Sequence, residues 1–592
     1  MADLIIACAR RGHPPFTAER LRRAALRLAP PEVPARAPLL LETGGVVAAV
    51  ANPTEQGVWL HGGEAPRAAP GGGVCVGGLF GATGGWWQTG AAEPDGTYAL
   101  ARWDEGTIEL LADICASRTL WYVLTDAHFL ASTSQRALVA LLGSFELQPE
   151  AVASLLVTGT LGPEAAWDAR IRRLPPDGRA ILDRGAWRLV LKETPAAFAP
   201  AGGGAETAAE VARLRDAIST TCGSLNIDAG RWVLPLSGGC DSRALLAFLA
   251  ANGLRPRCVT WTTRASLRNP LSDASIARAL ARRHRLEHEL LFLDGGYGDL
   301  ETALARFVAA NEGRNDEITG YLDGFALWRD LAASGVQGVI RGDESFGPRL
   351  RPMQPDSGRR QVGGAVPGDY PAGHLVRTLD LAPQTWPPRL HKAADENLRD
   401  YRARLSQHGY VPIILAGLNA AKSRYVEVVN PHLSRLVITT VRSLPPELRS
   451  YARAFAMIVD GVDRSLPYAR FSSTLPAPDL LTSPAFLELV VRDLTAPAME
   501  RILGAGGALR VLSAMAAAAS ASPGYRARLK GLLKRAGIAL PTRLADRVTP
   551  AWKGPEPLPP AKLALRAVLA GRTVALLEED ALGLAVTEAA RG

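Results

Sequence analysis

Apolar and polar positions repeat with different periods in the two halves of the chain. Before residue 193, runs such as GTYALARW (96–103), TIELLADI (107–114) and WYVLT (121–125) are short, β-like and bounded by turn residues. That pattern predicts strands and a β-rich first part. After residue 207 each apolar run leads into a longer helical pattern. RWVLPL (231–236) precedes SRALLAFLAANG (242–253), and RCVTWTT (257–263) precedes SDASIARALARRH (272–284). YLDGFALWRDLAAS (321–334) then leads to GVQGVIRGDE (335–344). Strand and helix in alternation predict a parallel sheet covered by helices. Pro235 removes a ladder donor and is placed at the end of its strand. From about Leu480 onward, Ala- and Leu-rich helical patterns dominate.

The stretch ETPAAFAPAGGGAET (193–207) has no apolar period and reads as a linker. Residues 348–374 form an irregular stretch too long for a simple connection, and its place after a candidate catalytic loop suits a lid. With 592 residues, more than one core serves, the chain divides into two or three domains. The expected bounds are a scaffold domain over 1–195, a nucleotide-binding domain over 208–480 and a helical extension over 481–592. The hydrophobic share of 47% against 21% charged residues is that of a globular protein, and no apolar run approaches the ~18 residues of a membrane span. The six cysteines are scattered without a CxxC pair, which favours free thiols, and a cytoplasmic location is expected. The formal charge of +9 is spread as dispersed arginines, which reads as a solvated surface rather than a nucleic-acid groove; no membrane partner is expected either.

The sharpest motif is Ser237-Gly238-Gly239-Cys240-Asp241-Ser242, between a strand and a helix. Two glycines permit a tight turn with amides directed into one concavity, and the following helix offers its positive end to an anion. Ser237 and Ser242 add hydroxyls, and Asp241 is a hard oxygen ligand suited to Mg²⁺. No Lys completes a P-loop, so γ-phosphoryl transfer is not the expected chemistry. A second loop, Gly342-Asp343-Glu344-Ser345-Phe346-Gly347, follows the apolar run GVQGVI. Ligands of open α/β sheets collect at the C-terminal ends of strands, where Asp241 and Asp343 would meet on a shared Mg²⁺. The blander reading of each loop is a capped turn or a solvated acidic turn.

Together, SGGCDS and GDESFG resemble the asparagine synthetase B family and its synthetase-domain relatives. The likeness extends over 94–143, 161–182, 272–288 and 430–449, and spans most of residues 75–475. The resemblance implies an α/β plus α+β protein: an N-terminal αββα glutaminase-like domain, then a five-stranded parallel nucleotide-binding domain with a helical C-terminal part. It implies ATP cleavage to AMP and pyrophosphate through an acyl-adenylate. Carried over, Ser237, Gly238, Gly239, Asp241 and Ser242 bind pyrophosphate, Gly342 and Glu344 belong to the second nucleotide-contacting loop, and Asp241 with Asp343 holds Mg²⁺. Leu236 and Thr260, at strand ends, lie near the adenine, with Trp261 beside them.

The sequence departs from the family in three places. A working glutaminase exposes Cys as its first mature residue, whereas here Met1 and Ala2 precede Cys8, which is embedded in an apolar run. No thiol activated by its own α-amine follows from that arrangement, so the first domain is expected to be a vestigial scaffold. The catalytic Tyr or Glu before the loop Asp is replaced by Ile340, and the late catalytic Lys has no match; Arg470 is the nearest cation and able to stabilise developing charge. Without an ammonia source the amine must arrive with the substrate. These departures point toward the lasso-peptide cyclase branch, with a leader-free precursor peptide as substrate and a leader peptidase as partner. A β-lactam-synthetase-like or ammonia-dependent asparagine synthetase-like ligase is the alternative. The HxxEH pattern at His284–His288 is read as a helix-to-strand junction, not a zinc site, because both His would have to share one helix.

Overall fold

The computed structural model describes residues 2–62, 71–81, 84–198, 206–293, 298–343, 346, 354–462, 465–473, 480–520 and 558–583. Two six-stranded sheets occupy the first part. One runs β10 (Arg172–Arg173), β8 (Trp121–Leu124), β9 (His128–Ser132), β1 (Asp3–Ala9), β3 (Val46–Ala51), β2 (Leu39–Thr43). The other runs β12 (Arg188–Glu193), β11 (Gly178–Asp183), β7 (Thr107–Ala112), β6 (Asp95–Trp103), β5 (Gly72–Phe80), β4 (Val58–His61). Strand β1 explains why the chain opens on an unbroken apolar run. Leu4, Ile6 and Cys8 enter the core between the sheets, while Ile5 and Ala7 face a helical layer. A strand buried on both sides shows no alternation.

That helical layer consists of α1 (Ala18–Leu26), α2 (Gln135–Leu142) and α3 (Pro149–Thr158). The outer face of the second sheet differs from the expected αββα stack. Among the described residues it is covered by the turns carrying Trp86 and Trp87, which pack with Cys75, Tyr98, Leu100 and Leu111. Two adjacent indoles set edge to face, centroids 6.0 Å apart, bury that face without a helix. Cys8 is 1% exposed inside the sandwich, and burial raises its thiol pKa, so it stays protonated.

The second part is organised by a five-stranded parallel sheet in the order β15 (His288–Phe292), β14 (Arg257–Thr262), β13 (Trp232–Pro235), β16 (Gly338–Ile340), β17 (Glu427–Val429). Registers such as Leu234 opposite Cys258 and Val233 opposite Val339 align the strand ends. Helices α4 (Thr207–Gly223), α5 (Cys240–Ala251), α6 (Asp273–Arg283) and α7 (Leu300–Asn311) connect or cover them. Because the chain leaves β13 first toward β14 and returns on the other side as β16, a crevice opens at the ends of these strands. The junction at His284–His288 is a helix end followed by a strand: His284 caps α6, Arg285 has a positive φ of 54°, and β15 starts at His288.

The two parts share a dense interface. Arg424 pairs with Asp3 and Glu312, and Arg118 with Glu427, all largely buried. The last described helix, Pro560–Gly583, belongs to the C-terminal extension, expected to pack on the second part. It lies against α7 and also against α2 and α3. Asp580, 1% exposed, accepts from Arg136 at 2.7 Å and Arg27 at 2.9 Å, while Arg566 binds Asp316 at 2.6 Å. Of the expected lid, 348–353 lies outside the described residues. The remainder is braced internally by Arg359–Asp369 ion pairs and docked by the Tyr370 hydroxyl, which donates to the Val157 carbonyl at 3.1 Å. No single helix among the described residues is long and apolar enough to cross a membrane.

Candidate functional site

Strand β13 ends at Pro235, and the chain turns through Leu236–Gly239 into α5. Gly239 is the helix N-cap in extended conformation (φ −82°, ψ −178°), and Asp241 sits in the first turn. The turn is stitched by its own hydroxyls. Ser237 and Ser242 Oγ atoms are 3.0 Å apart, the Ser237 amide donates to Ser242 Oγ at 3.0 Å, and the Gly239 amide donates to Ser237 Oγ at 3.2 Å. Gly238 is dictated by crowding: a Cβ there would stand 2.4 Å from that of Ala469, whose amide donates to the Gly238 carbonyl at 3.0 Å.

The adjacent strand end supplies the apolar wall. The Leu236 amide donates to the Val259 carbonyl at 2.9 Å, and Thr260 Oγ1 donates to the Leu236 carbonyl at 2.6 Å while touching His288 Nε2 at 2.9 Å. Burial first, then Arg278 and Arg282, hold the His288 pKa at about 4, so that ring is neutral. Trp261 follows, set edge to face with Trp328 at 5.7 Å. From the opposite side, Gly342 brings the second loop over the first turn of α5; a Cβ on it would lie 3.1 Å from the Asp241 carbonyl group.

These elements enclose a cavity of about 300 Å³. Of the sequence-predicted residues, Leu236, Ser237, Asp241, Ser242, Thr260, Gly342 and Asp343 line it, and Trp261 does too. Gly238 and Gly239 shape the turn behind it without lining it. Glu344 lies outside the described residues. Arg470 is exposed and does not line the cavity, although its amide donates to the Leu271 carbonyl at 2.9 Å.

Sequence reasoning missed several neighbours. Asp273, at the start of α6, lines the cavity and takes the Gly238 amide on Oδ1 at 3.2 Å, so that one loop amide is already engaged. Burial raises its carboxyl pKa, offset in part by the Gly238 and Ser473 amides. Arg341 grips Asp343 with two bonds, Nη2 to Oδ1 at 2.8 Å and Nε to Oδ2 at 3.1 Å. Burial alone would raise the Asp343 carboxyl; Arg341, with smaller help from Lys422 and His432, brings it below the ordinary value. Lys422 donates to Asn419 Oδ1 at 3.1 Å, and burial, then Arg341, push its ammonium down to about 7, opposed by Asp343. Beneath the loop, Asn430 Nδ2 donates to the Asp343 carbonyl at 2.8 Å. Arg341 directly precedes the second motif, and Asp273 lies in the 272–288 stretch of the resemblance; Ser473 comes from a distant segment that carried no signal.

The donor set suits a hard divalent cation. Three carboxylates and several hydroxyls line one cavity, with no thiol or imidazole among its described walls. Among the described residues no three His, Cys, Asp or Glu side chains converge to hold a metal alone. Mg²⁺ asks for one or two carboxylates, completing its shell with water and phosphate oxygens.

No protein-family model matches the chain, and no curated protein matches it. Three solved structures align with parts of it. An NMN synthetase from Francisella tularensis is 17% identical over 24% of this chain and 56% of its own, at a TM-score of 0.15. Glutamine phosphoribosylpyrophosphate amidotransferase from B. subtilis, complexed with ADP and GMP, is 9% identical over 49% of this chain and 65% of its own, at 0.21. The allosteric regulatory enzyme of purine biosynthesis is 9% identical over 53% of this chain and 92% of its own, at 0.22. The chain thus spans 56% and 65% of the first two, and likenesses at these scores carry no argument.

Proposed function

We propose that this chain is an ATP- and Mg²⁺-dependent carbon–nitrogen ligase that adenylates a side-chain carboxylate of a leader-free precursor peptide. The peptide's own N-terminal amine then attacks the acyl carbon, the carbon–oxygen bond to AMP breaks, and a macrolactam forms. One observation carries the reading: a serine- and glycine-built turn at the N-terminus of α5 opens onto the same cavity as Asp241 and Asp343. The helix end and loop hydroxyls suit a polyphosphate, and the wall of Leu236, Val259, Thr260 and Trp261 suits a nucleobase.

Asp241 and Asp343 would hold Mg²⁺, which supplies charge neutralisation of the polyphosphate. The chain's own part is to orient and exclude water. A peptide folded so that its carboxylate and amine meet would gain from proximity what a free chain lacks. The buried, protonated Cys8 is consistent with an N-terminal part that produces no ammonia.

The test is AMP and pyrophosphate release from Mg·ATP with a leader-free candidate peptide, read beside product mass. The expected outcome is AMP formation with loss of one water from the peptide, abolished in Asp241→Ala by several kcal/mol of lost stabilisation, as is usual for loss of a metal ligand. Turnover only with aspartate and ammonia would move the chain to the asparagine synthetase-like alternative.

A further inference from the structure

The described walls of the cavity hold three carboxylates, Asp241, Asp273 and Asp343, against one guanidinium, Arg341. A nucleoside polyphosphate brings more negative charge into that space, so its binding depends on the metal it carries and on whatever cation the walls offer. Arg470, the cation that resemblance singles out, is exposed and outside the lining. Arg341 is inside it, at the C-terminal end of β16, across the cavity from the Ser237–Ser242 turn. Its fork is spent on Asp343, with both carboxylate oxygens engaged at 2.8 and 3.1 Å. Its position is fixed from behind, since its amide donates to the Val429 carbonyl at 2.8 Å.

We propose that Arg341 is the phosphate-binding cation of this site and that Asp343 is its exchangeable counter-ion. Entry of a metal–polyphosphate draws Asp343 toward the metal and releases the guanidinium fork to phosphate oxygens, a planar two-pronged match that Lys does not reproduce. The exchange breaks no covalent bond and conserves charge pairing at each stage. It accounts for a carboxylate that the second motif nominates for metal and that Arg341 also grips with two bonds. The inference rests on the reading of the cavity as a polyphosphate site.

The experiment is calorimetric titration of the full chain with Mg·ATP, and separately with metal-free pyrophosphate. Thermal melting verifies that each variant is folded. Arg341→Gln is expected to weaken Mg·ATP about tenfold or more, and Arg341→Lys to recover only part of that loss. Asp343→Asn unmasks Arg341, so metal-free pyrophosphate binds several-fold more tightly than to the wild type, about what one charge-assisted contact yields. That gain disappears in the Arg341→Gln/Asp343→Asn double variant, whose neutral pair also guards against loss of folding. Wild-type affinity for both ligands in Arg341→Gln, or a gain that persists in the double variant, overturns the proposal. Loss of Mg·ATP binding in Arg470→Gln with none in Arg341→Gln overturns it equally. A wild type that ignores Mg·ATP while pyrophosphate responds in the Arg341-dependent way sinks the nucleotide reading and leaves the anion site standing. A wild type that binds neither ligand overturns both.

Discussion

His432 is fully buried beside the second loop, wedged edge-on between Phe346 (5.0 Å) and Phe455 (5.4 Å). Burial lowers its pKa to about 4, opposed by the Gly342 backbone and Asp343. The folded ring is therefore neutral where an unfolded one, near 6.5, gains a proton. Between those values the unfolded state binds more protons, so stability falls as pH drops from about 6.5 toward 4. Wild type should lose about 2 kcal/mol more than His432→Gln between pH 7.5 and 5 in urea unfolding. Equal losses would refute the assignment. At this scale the Ser237–Ser242 residues were legible because they are contiguous and flanked by a strand and a helix. Asp273 and Ser473 were not assigned, because they reach the cavity from segments that meet the turn only after folding, and Arg341 was passed over although it adjoins the second motif.

Elements were legible where a period existed. Strands β6 and β7 and the β13–α5 and β14–α6 pairs follow the apolar pattern, and His284 ends α6 because its Arg-rich tail has no further buried face. The ten-residue π-helix Ser406–Leu415, with Pro412 inside it, has no sequence period to betray it. The Trp86–Trp87 turn replaces an expected helix because large indoles bury a sheet face with few residues. The Ser237–Ser242 turn makes a sharper test. In Gly238→Ala the new methyl meets Ala469 at 2.4 Å and Ile276 at 3.0 Å, contacts that require backbone movement. A melting loss equivalent to about 1–3 kcal/mol is expected, together with weakened Mg·ATP binding because the turn itself shifts. Unchanged melting and affinity would show that the turn relaxes freely.

The closing helix Pro560–Gly583 ties the whole molecule together, joining the core beside the first sheet to α7 of the second part. Asp580 is buried between Arg27 and Arg136, so Asp580→Ala strips the largely buried Arg136 guanidinium of its carboxylate and leaves Arg27 with Glu579 at 3.7 Å. Breaking such an arrangement costs about 3–5 kcal/mol, which urea unfolding of the variant should display. A cost below about 1 kcal/mol, ordinary for an exposed pair, would place this helix outside the cooperative core. The sequence by itself determined the β-then-α/β order and the glycine- and serine-built turn between β13 and α5, because those depend on neighbours within about one turn or strand of each other. Tertiary structure decided which cation faces the cavity, which carboxylate takes the Gly238 amide, and which helices the C-terminus buries. Those choices depend on the distances between segments from 35 to more than 400 residues apart, and no local period records such distances.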